Sequence, residues 1–469
     1  MKKNILFKLL IGMIAVFLLS SAMRAYQVND GDMATNQPPI TEPVQTESAE
    51  QITETDTASP IETMPAPVNT MAETEIVPAE STENPENTVE ATVESSKTPT
   101  VAAATAIPAS PGTLPLVNPL TGQSISNPDY LTYPPVLIPI SRYPDGNRPS
   151  AGLSQAPWVF EMYANTGESR PIALFYGSLP ETTKAMEPYV GAMSGALLGL
   201  ESLRKQYQAL LLTTGNPQYV EDAGILNNEK WFGLAGDEKY PDIPVAHIQN
   251  YLEKWKKRLV IPDIEGLTIP FSIGVVKEGK HGQSLFMRYA SFNQILWQFD
   301  AKDGLYHRSQ NSSSNPEIVE DVDILNDRPI AVQNLIVLFA SHTLVGTEGN
   351  FTVNFNYVEK NPAIIFRDGI MYQVYWTTKS EAYERETERM RPIRFIDEAG
   401  NAFPLKPGQS WVHIISTGNP YYETSTALGN EVSQGTGFWK IPYISVKPEK
   451  KEIALSENKE LAEILQVTK

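Results

Sequence analysis

Arg148, Glu161 and Arg170 are the charges in this sequence best placed to do chemistry, because each borders a short apolar stretch. Ser154 and Gln155 stand between them as polar groups able to orient a bound molecule. At the ends of strands such a set could line a pocket, with the guanidiniums as fixed forks for an acidic or polar partner. The same three charges could instead close the edge of a sheet as a structural Arg–Glu pair, and the sequence leaves both readings open. Glu161 also admits a carboxylate-dependent hydrolase or transferase, since the 5–9 Å separations of glycosidase carboxylates are set by the fold and not by spacing. Ser154 is not expected to be a nucleophile: no G-x-S-x-G frames it and no His lies near it in sequence.

Other chemistries are poorly supplied. The chain has no Cys, which removes disulfides, thiolate metal sites and a Cys nucleophile together. Its five histidines, His247, His281, His307, His342 and His413, offer no i, i+4 helical pair. His307 and His413 fall on expected strands and read as core or surface residues. Asp237, Glu238 and Asp242 form an acidic stretch, AGDEKYPDI, without the D-x-D-x-D-G spacing of a dedicated Ca²⁺ loop. It reads as a solvated loop. There is no P-loop and no G-x-G-x-x-G, so no metal and no cofactor is expected. The 20 Tyr and 7 Trp suit either carbohydrate and protein binding or a β-rich core.

These candidates sit behind two non-globular segments. Residues 1–26 hold Lys2, Lys3 and Lys8 and then the apolar run LLIGMIAVFLL. That run is short for a span of about 20 residues, and Ser20-Ser21-Ala22 offers small residues for signal cleavage. A cleaved signal peptide and an uncleaved membrane anchor both fit, and the leading lysines favour an exported remainder. Residues 27–112 are rich in Thr, Glu, Pro and Ser and carry fifteen acidic residues against one Lys. Such a segment cannot bury enough apolar area to order itself and reads as an extended, disordered tether. The net charge is -18; this linker holds -14 of it and residues 1–26 hold +4, which leaves -8 for residues 113–469. A mildly acidic globular part does not fit nucleic acid, whose affinity rests on Lys and Arg. An exported chain of this length without Cys points to bacteria.

The globular part reads as α+β in two domains. The first, 113–262, is expected to be mixed α/β, with strands over Val136–Ile140, Ala156–Tyr163 and Arg170–Tyr176 and helices within Pro188–Leu212 and Ile243–Leu259. The second, 263–423, is expected to be mainly antiparallel β. Its strands read as Leu267–Val276, Ser284–Tyr289, Gln294–Asp300, Ala331–Ala340 and Phe351–Val358, with hairpin turns at Asp303-Gly304 and Arg367-Asp368-Gly369. Residues 424–469 read as an extension.

Two blocks carry a resemblance. The first runs Arg148-Pro149-Ser150-Ala151-Gly152-Leu153, then Trp158-Val159-Phe160-Glu161, then Ser169-Arg170-Pro171-Ile172. The second holds Trp297-Gln298-Phe299-Asp300, Tyr306-His307-Arg308, Phe366-Arg367-Asp368-Gly369 and Leu405-Lys406-Pro407-Gly408-Gln409-Ser410-Trp411. Over about residues 118–420 the chain resembles the YerB-like family of bacterial envelope lipoproteins, whose function is not known. The resemblance implies an envelope location. The lipobox Cys is absent, and Val190-Gly191-Ala192-Met193-Ser194-Gly195-Ala196 stands where the family carries a G-P-V-R-S-x-R motif, so both of its arginines are missing.

The expectation is therefore an extracytoplasmic protein, secreted or held at the membrane by its N-terminal segment. Its leading role is a non-catalytic module that binds an envelope ligand or protein through Arg148, Ser154, Gln155, Glu161 and Arg170. The alternatives are a carboxylate-dependent wall enzyme and a purely structural protein. Buried, mutually paired charges at 148, 161 and 170 would count against the first two as placed.

Overall fold

The computed structural model describes residues 116–446 except 165, 196, 198, 216–231, 235–240, 257–262, 275, 346–349, 428–429 and 432–434. The signal or anchor segment, the acidic linker, Asp237 and Glu238, and the tail from 447 lie outside the described residues.

Strands dominate, with few helices. The first half supplies β1 (Val136–Pro139), β2 (Trp158–Tyr163), β3 (Ser169–Phe175), β4 (Leu210–Thr213) and β5 (Phe232–Leu234). The second supplies β6 (Lys280–His281), β7 (Ser284–Ala290), β8 (Asn293–Asp300), β9 (Leu305–Gln310), β10 (Val319–Glu320), β11 (Ala331–Val332), β12 (Asn334–Ala340), β13 (Asn361–Arg367), β14 (Ile370–Thr377), β15 (Arg394–Ile396), β16 (Ser410–Ser416), β17 (Tyr422–Glu423) and β18 (Phe438–Ile441). Among the described residues an eleven-stranded sheet runs β15-β14-β13-β12-β16-β2-β3-β1-β4-β5, with β6 beside β14. A seven-stranded sheet runs β10-β9-β8-β7-β18-β17, with β11 beside β9.

The centre of the large sheet follows from its sequence. β12 (NLIVLFA) and β16 (SWVHIIS) are buried at every position. A strand that is apolar on both sides needs cover on both faces. On one face Ile336, Leu338, Val412, Ile414, Trp158 and Phe160 pack with Leu200, Leu203 and Tyr207 of helix α1 (Leu200–Tyr207). On the other, Leu335, Val337, Val159, Trp411 and Ile415 pack against Met287, Tyr289, Ile295, Trp297 and Tyr306 of the smaller sheet. Farther along that second face, Ile248, Leu252 and Trp255 of helix α2 (Val245–Lys256) join the same core.

The expected division at residue 262 does not separate two sheets. β16 lies between β2 and β12 and pairs in parallel with both, so that Val412 faces Phe160 on one side and Ile336 on the other. The second half is likewise not wholly antiparallel, since β12 and β16 run side by side in the same direction. The extension from 424 is partly structural: β18 pairs in parallel with β7 and places Trp439 and Ile441 in the core.

Two local expectations fail for identifiable reasons. Among the described residues Pro188–Leu212 is helical only over Leu200–Tyr207, where Gln208 turns left-handed and ends the helix. The following Leu210–Thr213 is a buried strand pairing with β1, and a short apolar run does not declare its own period. Leu267–Val276 is not a strand. A single helical turn, Ile264–Leu267, is capped by Asp263 accepting from Gly266 N at 2.9 Å, and only Phe271 then bridges to Leu405. Both hairpins form as read. In the β13–β14 turn Asp368 and Gly369 both have positive φ, as a two-residue type I′ turn requires.

Candidate functional site

The charge at position 161 is placed by strand alternation. β2 reads WVFEMY; Val159, Glu161 and Tyr163 point one way and Trp158, Phe160 and Met162 the other. The first set faces the smaller sheet. Glu161 lies beside His413 of β16 in register and is fully buried, as is His413. From the opposing sheet β9 projects Tyr306, Arg308 and Gln310 inward, the buried half of its alternating pattern. The loop after β1 adds Arg142, and the segment after β10 adds Asp321.

These groups form one network. Arg308 Nη2 donates to Glu161 Oε1 and Oε2 at 3.2 and 3.3 Å. Arg308 Nη1 donates to Asp321 Oδ2 and, at 2.8 Å, to Gln310 Oε1. Arg142 Nη2 reaches Asp321 Oδ1 at 2.5 Å and Gln310 Oε1 at 3.0 Å. Glu161 also accepts from Ser169 Oγ at 2.6 Å and from the Trp411 indole N–H at 2.9 Å. The Arg308 guanidinium lies 5.0 Å from the Trp411 ring centre and 5.9 Å from that of Trp297, within cation–π range of both. Two guanidiniums thus stand against two carboxylates, and the cluster is neutral overall.

Its electrostatics suit permanence more than turnover. Burial pushes the Glu161 carboxyl up, but Arg308 above all, with His413 and Ser169, brings it below the ordinary range. Asp321 is likewise held low by Arg142 and Arg308 against its desolvation. Burial lowers His413 to about 4, with Glu161 opposing and Arg308 assisting. The ring is therefore neutral at pH 7. Trp297 Nε1 donates to its Nε2 at 2.9 Å, so the ring proton sits on Nδ1, 3.3 Å from Tyr289 Oη. A general acid needs a carboxyl raised toward the working pH. Neither Glu161 nor Asp321 is raised, and both Glu161 oxygens already accept two hydrogen bonds each.

The five residues expected to form one site do not converge. Glu161 pairs with Arg308, not with Arg148 or Arg170. Arg170 faces Met162 across the β2–β3 ladder, while Glu161 faces Pro171, so Arg170 projects from the opposite face of the sheet. Arg148 is half-buried at the rim, where it donates to Asp145 Oδ1 and to the Asn311 carbonyl, both at 3.0 Å. Desolvation opposes ionisation of Asp145, yet the Ser314 hydroxyl and N–H, with Ser313 and Arg148, hold it below the usual range. Ser154 donates Oγ–H and N–H to Asp323 Oδ2 at 2.8 and 2.9 Å. Gly152 N and Leu325 N donate to the other oxygen, so Asp323 is a buried clasp for the 150–155 loop. Gly152 has φ +91, and a Cβ there would meet Pro180 and Val190 at 3.3 Å. Gln155 exchanges two hydrogen bonds with the backbone of Glu181.

Arg142, Arg308 and Asp321 are the members that sequence reasoning did not single out. One signal was available: Glu161 is a lone charge inside an otherwise apolar strand, which implies a buried partner, though not which one. At the β8–β9 hairpin, ligand atoms of Asp300, Asp303 and His307 lie within 4.8 Å of one another.

The family described as "Protein of unknown function (DUF3048) C-terminal domain" matches residues 285–412. The chain thus carries a DUF3048 C-terminal domain. Among curated proteins it is 22% identical over 297 residues to "Putative lipoprotein YerB" of Bacillus subtilis (strain 168), spanning 60% of this chain and 81% of that protein. A crystal structure of the YerB protein from Bacillus subtilis aligns at TM-score 0.49 and 19% identity, over 64% of this chain and 97% of that one. The family match and the curated relative support a likeness to a YerB-like family. The matched segment holds Arg308, Asp321 and Trp411, whereas Arg142, Glu161 and His413 lie outside it. The buried network therefore joins the matched segment to the residues before it.

Proposed function

We propose that this protein is a non-catalytic module of the bacterial envelope, carried outside the cytoplasm, with its buried charges serving the fold and its recognition of ligands or partners left to exposed surface. The observation that carries this reading is the state of Glu161, fully buried, gripped by Arg308 and Trp411 and held ionised. A carboxylate in that state has no lone pair to offer a substrate. The envelope assignment is supported by the lysine-led apolar N-terminus, by the acidic tether and by a relative whose printed name calls it a lipoprotein. The competing wall-enzyme reading, as placed on Glu161, would need that buried and paired carboxylate as its acid.

The test is release of soluble fragments from purified bacterial cell walls by the full chain and by its Glu161→Gln variant. The expected result is no release above buffer from either. Release by the wild type that Glu161→Gln abolishes, with the variant still folded by near-UV circular dichroism, would overturn the proposal in favour of hydrolysis. Binding is read separately as a thermal shift with wall saccharides and peptides. A ligand at 100 times its Kd should add about 2.7 kcal/mol. Stabilisation by none of them leaves a structural envelope role in place of recognition.

A further inference from the structure

We propose that the β8–β9 hairpin is a surface site for a divalent transition-metal ion of the zinc class, built from Asp300, Asp303 and His307 and backed by Glu320. The inference is independent of the envelope reading, since it rests on the outward face of the smaller sheet and not on the buried network.

The hairpin register brings the ligands together. Gln298 pairs with His307 and Asp300 with Leu305, so Asp300 and His307 are diagonal neighbours on the face opposite Trp297 and Arg308. The turn then supplies the third group. Gly304 takes φ +72, its N–H donates to the Asp300 carbonyl at 2.8 Å, and the chain folds Asp303 back over the strand. Asp303 Oδ2 lies 2.8 Å from His307 Nε2. Each aspartate is fixed through one oxygen by a backbone N–H: Asp300 Oδ1 by Lys302 at 2.8 Å, Asp303 Oδ1 by Leu305 at 3.0 Å. Each keeps a second oxygen that can turn to an ion. The ligand atoms already lie within 4.8 Å of one another, a spacing that modest side-chain rotation closes to metal-bond length.

Two features select the class of ion. One is the imidazole nitrogen: Ca²⁺ and Mg²⁺ favour oxygen ligands alone, whereas zinc-class ions accept mixed nitrogen and oxygen sets. The other lies on the far side of that ring. Glu320 Oε1 stands 3.7 Å from His307 Nδ1, on the nitrogen that does not face the aspartates. A carboxylate behind a ligating imidazole fixes its tautomer and raises its basicity, the usual second layer of a metal site. Three protein ligands leave a coordination position to water, and the half-exposed side chains admit it.

The experiment is a calorimetric titration of zinc chloride into the chelator-stripped full chain, beside His307→Ala, Asp303→Asn and Glu320→Gln. The wild type is expected to show one saturable equivalent above the diffuse background of the acidic linker, unchanged by a large excess of Mg²⁺. His307→Ala should lose that equivalent, and Glu320→Gln should weaken it about tenfold. A second readout needs no variant. Co²⁺ should shift or broaden the His307 ring signals in NMR spectra of the wild type and leave those of His281 and His247 sharp. A His307→Ala isotherm superimposing on the wild type, or His307 signals unmoved by Co²⁺, would reduce the trio to a turn-closing ion pair and overturn the proposal.

Discussion

Replacing Arg308 with Met would keep much of the volume beside Trp297 and Trp411 but leave Glu161 and Asp321 with one guanidinium between them. Glu161 would then hold only the Ser169 and Trp411 hydrogen bonds, in a setting with no solvent. Removing one partner of a buried ion pair costs about 3–5 kcal/mol, because the charge left behind is uncompensated. Unfolding entropy of about 2.1 cal/mol/K per residue means that each kcal/mol moves Tm by about 1–2 °C in a fold of this length. Arg308→Met should therefore lower Tm by about 4–8 °C at pH 7. Intrinsic tryptophan fluorescence reports it directly, since two indoles flank the site. Adding Glu161→Leu removes the stranded charge, so the double variant should lose less than the two single variants together, with a coupling of about 0.5–3 kcal/mol. An Arg308→Met melt within about 1 °C of wild type, or strictly additive losses, would refute the claim that this pair ties the sheets together.

Other consequences follow from the same contacts. His413 is held neutral, so the unfolded chain takes up its proton first, near 6.5, and the folded protein only near 4. Its contribution is intact above pH 6.5 and falls by about 3 kcal/mol as pH drops toward 4, and His413→Gln should flatten that part of a stability–pH curve. Asp323→Ala leaves the N–H groups of Gly152, Ser154 and Leu325 unpartnered and should cost about 2–3 kcal/mol in urea unfolding, against about 1 kcal/mol for Ser154→Ala. Arg170→Ala should show no coupling to Arg308→Met beyond about 0.5 kcal/mol in the same melts, because the two lie on opposite faces of the large sheet.

What could be read in the sequence was mostly local. The Asp303-Gly304 and Asp368-Gly369 turns declare themselves because positive φ is a property of the turn residues alone. β12 could be read as central because a six-residue apolar run needs cover on both faces. The strand LLLT was hidden behind a helical reading because three apolar residues have no measurable period. Glu161 was legible as an oddity and Arg308 was not, since 147 residues separate the pair and β9 reads LYHRSQ, with two of its three inward positions polar. The pairing across residue 262 was hidden for a related reason: nothing local in SWVHIIS says that it returns to lie against a strand more than two hundred residues earlier.

That return and the buried charges belong together. β16 could slide against β2 and β12 at small hydrophobic cost, because all three strands are apolar along most of their length. A one-residue slip would turn His413 and Trp411 to the helix-covered face and strip Glu161 of its indole donor; a two-residue slip would part the same bond while keeping the faces. A buried ion cluster adds little net stability over apolar residues of the same volume but can single out one register, a role that is a hypothesis for this fold. It predicts that exchanging Arg142, Glu161, Arg308 and Asp321 together for Met, Leu, Met and Leu leaves Tm within a few degrees of wild type. Amide exchange along β16 should then lose its uniform protection, as several registers become populated. Wild-type protection across residues 410–416 in that variant would mean that packing of Trp411 and its neighbours alone selects the register.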